Sequence, residues 1–233
     1  MPTGVFLQKS YLKKSNNALV QFIFFGNYFY GICAVALSIE AALQQRYPLN
    51  NIYYYLVIFL CTVVYYTKAY VNDTAGHDAN EREQWYAAND RMIRRTQQLF
   101  SAILLLSGIL LVCKYWPLLL QMGWYEWLLV FIFPVVAALY YGINLPSRAK
   151  YNLRDIGWLK PFVIGFTWAG LVTVYPVLFY SVMQHMHLGI TLIGCLLFLK
   201  NFMYITLLCI MFDIKDYTTD HNKQLKTFVV KAG

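Results

Sequence analysis

Charge is scarce in this chain. Of its 233 residues only 13% are Asp, Glu, Lys or Arg, whereas 59% are hydrophobic and the mean hydropathy is +0.47. A soluble domain carries about 25% charged residues, so an ordinary water-soluble enzyme is excluded and an integral membrane protein is indicated. Cysteine offers no framework. Cys33, Cys61, Cys113, Cys195 and Cys209 each fall inside an apolar run with no CxxC pair, which argues against a disulfide scaffold or zinc site and for small buried hydrophobes. Of the four histidines, His77 and His221 stand alone. His185 and His187 share one short loop, expected to be solvated. Met1–Asn17 contains lysines but no short apolar run ending at a small-residue cleavage site, so no cleavable signal peptide is expected. The net charge of +8 does not point to nucleic acid, because the basic residues lie between hydrophobic stretches, where they orient a membrane protein.

What is present is a series of apolar stretches of the length that crosses a bilayer at 1.5 Å per helical residue. They run over Ala18–Leu43, Ile52–Tyr70, Leu99–Tyr115, Trp124–Ile143, Pro161–Met183, with Pro176 as an expected kink, and Gly189–Phe212. The expectation is an all-α, polytopic transmembrane bundle of about six spans, read as a single domain over 1–233 in the cell (cytoplasmic) membrane. Charge supports this count. Six spans place Lys9, Lys13, Lys14, Lys68, Arg82, Arg91, Arg94, Arg95, Arg148, Lys150, Arg154, Lys160, Lys215, Lys223, Lys226 and Lys231 on one side and only Arg46 and Lys114 on the other. That asymmetry predicts a cytoplasmic N-terminus. Tyrosines near the stretch ends, such as Tyr53–Tyr55, fit an interfacial belt. Lys200 lies within the sixth stretch. It is either a functional intramembrane charge or a side chain that snorkels to the interface.

Chemistry concentrates where the sixth stretch ends. Asp213, Asp216 and Asp220 fall at i, i+3 and i+7, which on a helix puts all three carboxylates on one face. Such a cluster repels itself unless a cation intervenes. Mg²⁺, which combines one or two carboxylates with phosphate oxygens and water, would serve. The alternative is an acidic loop in water, neutralised by Lys215, Lys223 and Lys226. A weaker echo follows the second stretch. Aligning Asp73 with Asp213 sets Gly76 against Asp216 and Asn80 against Asp220. Asp78 does not restore the pattern, since five residues turn a helix by about 140°. Asn72 and Asn80 could still offer carbonyl oxygens. The charged stretch from Glu81 onward reads mainly as a solvated connecting helix.

The run Asp213-Ile214-Lys215-Asp216-Tyr217-Thr218-Thr219-Asp220, followed by Lys226-Thr227, resembles the second aspartate-rich motif of the UbiA superfamily of intramembrane prenyltransferases, of the form D-x-x-D-x-x-x-D. Asn72-Asp73 resembles the start of that family's first motif, and Leu153-Arg154-Asp155 with Leu159-Lys160-Pro161 resembles its link before the fifth helix. The chain looks most similar to a divergent bacterial branch in which the first motif is eroded.

The resemblance implies a bundle of about nine helices around a lipid-open cavity, so the chain is expected to be incomplete at its C-terminus. It implies Mg²⁺ as cofactor, a polyprenyl diphosphate donor and a lipophilic, possibly aromatic, acceptor. Asp213, Asp216 and Asp220 would bind one Mg²⁺, and Asn72 and Asp73 would hold a second weakly; the four aspartates would be the catalytic set. Lys215 and Lys223 would pair with diphosphate oxygens, with Arg82 and Lys150 as further candidates. Ionisation of the allylic C–O bond would be assisted electrostatically. Because Gly76 and Asn80 stand where the family has aspartates, the competing expectation is a non-catalytic UbiA-like membrane protein that binds a lipid or a partner protein. A small transporter rests only on the multiple spans and Lys200.

Overall fold

The computed structural model describes residues 18–71, 81–141, 157–215 and Val229. Among them every regular element is helical. α1 covers Ala18–Phe25. α2 (Tyr28–Gln44), α3 (Ile52–Val71), α4 (Glu81–Ala88), α5 (Asp90–Leu120) and α6 (Trp124–Tyr141) follow. A 3₁₀ turn at Gly157–Leu159 opens α7 (Lys160–Ala169). A π-turn at Gly170–Val174 joins α7 to α8 (Tyr175–Met183), and α9 is Leu192–Lys215.

Among the described residues three helical stretches are long and apolar enough to cross a membrane: Asp90–Leu120, Lys160–Met183 and Leu192–Ile214. A fourth arises if α1 and α2, bent by 57°, count as one broken span; the apolar runs Ile52–Lys68 and Trp124–Leu139 are shorter. The first expected stretch is thus two helices. Asn27 adopts φ 65° and ends α1 in the left-handed conformation that Asn tolerates better than most residues. Arg46 (φ 61°) and His185 (φ 55°) end α2 and α8 in Schellman turns, closed by Tyr47 N–H to Ala42 O and Met186 N–H to Ser181 O, both at 2.9 Å. Side chains cap the helix starts. Asn51 Oδ1 accepts the Tyr54 N–H of α3 and Thr191 Oγ1 the Gly194 N–H of α9, each at 3.0 Å.

The chain divides into two compact units. One comprises residues 1–36 and 51–115, with its boundary at the kink of α5, where Tyr115 leaves helical geometry just before Pro117. Here α4 packs its Tyr86 inward, while the apolar window of α5 is unburied, as suits contact with lipid.

The other unit comprises residues 37–50 and 116–233. It is organised on α7 and α9, which run antiparallel: Lys160 meets Asp213, Gly165 meets Thr206 and Thr173 meets Asn201. Contact is close because Gly165 lacks a side chain; a Cβ there would strike Thr206 Oγ1 and come within 3.0 Å of the Phe202 carbonyl. Gly170 likewise makes room for the ring of Phe133, which also packs on Phe166, Tyr175 and Phe198. The disturbance expected at Pro176 takes the form of the π-turn just ahead of it, which accommodates the proline's missing N–H.

Candidate functional site

α9 brings Asp213 to its position by a four-residue repeat. Leu197, Asn201, Ile205 and Asp213 are buried on the stripe facing α7, whereas Met203, Leu207, Met211 and Ile214 are exposed. The side chain of Asp213 is 3% exposed and lies in the last turn of its helix, where the helix dipole disfavours an anion. Lys160, at the first position of α7, compensates: its Nζ donates to Asp213 Oδ1 at 2.8 Å. Asp213 Oδ2 is buried without a hydrogen-bond partner among the described residues. A carboxylate with one ammonium on one oxygen and nothing on the other is undercompensated. Such an oxygen is the hard anionic donor that Mg²⁺ takes, so Asp213 fits one position of a divalent-cation site. Among the described residues no group of three or more His, Cys, Asp or Glu forms a metal cluster. Asp216, Asp220, Lys223, Asn72, Asp73 and Lys150 lie outside the described residues, and Lys215 is described only as the helical end of α9.

Arg82 belongs to the first unit, where it is engaged by a joint between helices. The break at Gly26-Asn27 deprives the Phe25 carbonyl of its place in a continuous helical ladder. That carbonyl instead accepts from Tyr86 Oη at 2.9 Å and from Arg82 Nη2 at 3.4 Å. Arg82 and Tyr86 lie four apart, on one face of α4. Asn27, fully buried, completes the joint: its Oδ1 accepts from Arg82, and its Nδ2 donates to Thr67 Oγ1 and Tyr86 Oη, both at 3.0 Å. The Arg82 guanidinium also lies 4.0 Å over the Tyr70 ring. Burial pushes the Tyr86 phenol up from its ordinary pKa, so it remains a neutral donor.

Two further polar groups were not singled out from sequence as partners of anything. Lys200 forms an ion pair with Glu40 Oε1 at 2.6 Å, and Gln44 donates to the same oxygen at 2.7 Å. Glu126, buried in the first turn of α6, accepts the N–H groups of Gly123 (2.7 Å) and Leu188 (2.9 Å), so it closes its own helix start and pins the loop before α9. Its position three residues after Gly123 is the readable half of a capping box. His187, in that loop, is 75% exposed, with Nδ1 3.7 Å from Glu126.

Comparison with protein-family models, with curated proteins and with solved structures found no match.

Proposed function

We propose that the protein is a UbiA-like membrane prenyltransferase, which transfers a polyprenyl group from its diphosphate to a lipophilic acceptor. The reading takes six spans with a cytoplasmic N-terminus, which sets the aspartate-rich end of α9 on the cytoplasmic face. The observation that carries it is the buried Asp213 carboxylate, at the end of an apolar helix, with one oxygen left for a ligand. Asp213, Asp216 and Asp220 would hold Mg²⁺, with Asn72 and Asp73 as a weaker second set. Bound there, the metal would supply Lewis-acid stabilisation of the leaving diphosphate. The chain's own contribution is to bury the carboxylate and hold it by Lys160, with Lys215 and Lys223 following two and ten residues later in the sequence.

The test is binding of a polyprenyl diphosphate to the full chain in detergent, with and without Mg²⁺. Binding that depends on Mg²⁺ and falls at least about tenfold in Asp213→Asn is expected, since a charge of opposite sign at close range carries that much preference. Binding indifferent to both would overturn the reading. A second reading, a non-catalytic protein of the same kind, is favoured by Gly76 and Asn80 in the aspartate positions of the first motif. It predicts binding without turnover.

A further inference from the structure

We infer that Lys160 is a resident counter-cation which competes with the divalent ion for Asp213 and turns to the diphosphate once the ion is bound. The inference rests on the metal reading of Asp213. Three observations carry it. The Lys160 ammonium occupies Oδ1 at 2.8 Å while Oδ2 is buried and unpartnered among the described residues, so one carboxylate offers both its present cation and a place for another. The two partners differ in access: the Asp213 side chain is 3% exposed and that of Lys160 is 37% exposed. Asp213 is therefore fixed, whereas Lys160 is partly exposed and has a flexible four-carbon stem. Finally, a divalent ion on Oδ2 would stand within a few ångströms of the ammonium on Oδ1. Two cations at that range repel, so binding of one must loosen the other.

Without a metal, Lys160 keeps a buried anion from standing alone at the end of α9. With a metal, the displaced ammonium carries three donors and a full charge, which suits phosphate oxygens. Lys160 is thus a positioning residue in the first state and a diphosphate contact in the second.

The experiment measures Mn²⁺ binding by electron paramagnetic resonance on the full chain in detergent, first alone and then saturating with inorganic pyrophosphate titrated in. In Lys160→Met, Mn²⁺ alone should bind at least about tenfold more tightly than in wild type, because a competing charge beside the carboxylate is gone. Pyrophosphate should bind the Mn²⁺-loaded variant at least about tenfold more weakly, for want of that charge. A merely structural lysine would not shift the two affinities in opposite directions. Lys160→Arg serves where the methionine variant does not fold. Its planar fork grips a carboxylate through two parallel bonds, so Mn²⁺ alone should bind several-fold more weakly than in wild type. Wild-type binding that neither variant alters would overturn the role of Lys160 and leave the metal reading standing. Absence of Mn²⁺ binding in wild type, with or without pyrophosphate, would overturn both.

Discussion

Arg82 and Asp213 are both charged side chains on helices, and the resemblance to the UbiA superfamily implies a diphosphate contact for the first and a metal ligand for the second. Their surroundings differ. Arg82 gives two bonds to Asn27 and the Phe25 carbonyl and lies over Tyr70. It is a structural peg that closes a broken helix. Among the described residues Asp213 has one ion-pair partner and an unpartnered buried oxygen. Arg82 also has a buried Nε without a hydrogen-bond partner among the described residues, but its Nη2 and its ring contact are committed to the joint, so it stabilises that joint. A carboxylate held on one oxygen only, in a dry setting, is the group open to a cation. The difference separates the two where net charge and sequence position do not.

The joint should give the largest response. Asn27→Ala removes three hydrogen bonds, leaves the Arg82 donor and the Thr67 and Tyr86 hydroxyl acceptors short of a partner, and puts a Cβ-bearing residue without a polar tip at φ 65°. A loss of about 3–4 kcal/mol is expected from the unmade bonds and the backbone cost together, read as a lowered unfolding midpoint in detergent. Asn27→Gly, which tolerates that backbone, should lose about 1 kcal/mol less. Equal losses would mean that backbone strain contributes nothing. The ion pair comes next. Lys160→Met should cost about 2–3 kcal/mol, below the range for a fully buried pair because the lysine is partly in solvent. Adding Asp213→Asn should recover most of that loss. Failure to recover it would show that the lysine acts by packing and would erase the contrast with Arg82.

Much of the helical layout was legible. Runs of apolar residues identify α3, α6, the α7–α8 segment and α9 to within a few residues, since hydropathy and length together leave little else for them to form. The break in the first stretch was not legible as apolar content, because hydropathy averages over Gly26-Asn27. The cue was conformational: Gly beside Asn, the pair best suited to a left-handed turn. Asp213 could be read from its three-residue spacing to Asp216, but Lys160 could not, because it lies 53 residues away and only the antiparallel packing of α7 on α9 brings it in. The same holds for Lys200 and Glu40, separated by 160 positions. Each charge was visible as unusual in its own stretch. Partnership is a tertiary fact.

The helix contact that delivers Lys160 to Asp213 can be disturbed without touching either charge. Gly165→Ala forces a methyl against Thr206 Oγ1 and the Phe202 carbonyl, so α7 and α9 must separate slightly. Overpacking of this kind costs about 1–2 kcal/mol. The loss should be seen in thermal unfolding, and Thr206→Ala should relieve only part of it, because the Phe202 backbone contact remains. Full relief would mean that the hydroxyl alone sets the helix spacing.

The smallest effect is expected at Asp90, which makes an ion pair with Arg94 at 2.7 Å and shares its distance with the Lys160–Asp213 pair to within 0.1 Å. Geometry alone would rank the two alike. Both side chains of the Asp90 pair are 52% exposed, however, so water already solvates each charge and the pair is the ordinary i,i+4 contact of a helix surface. Arg94 also keeps its bond to the Val71 carbonyl when the carboxylate is gone. Asp90→Ala should therefore change stability by no more than about 0.5 kcal/mol, and that change should shrink further as salt is raised. A loss comparable to that of Lys160→Met would show that burial is not what distinguishes the two pairs, and the inference from a dry, half-filled carboxylate to a ligand site would lose its physical basis.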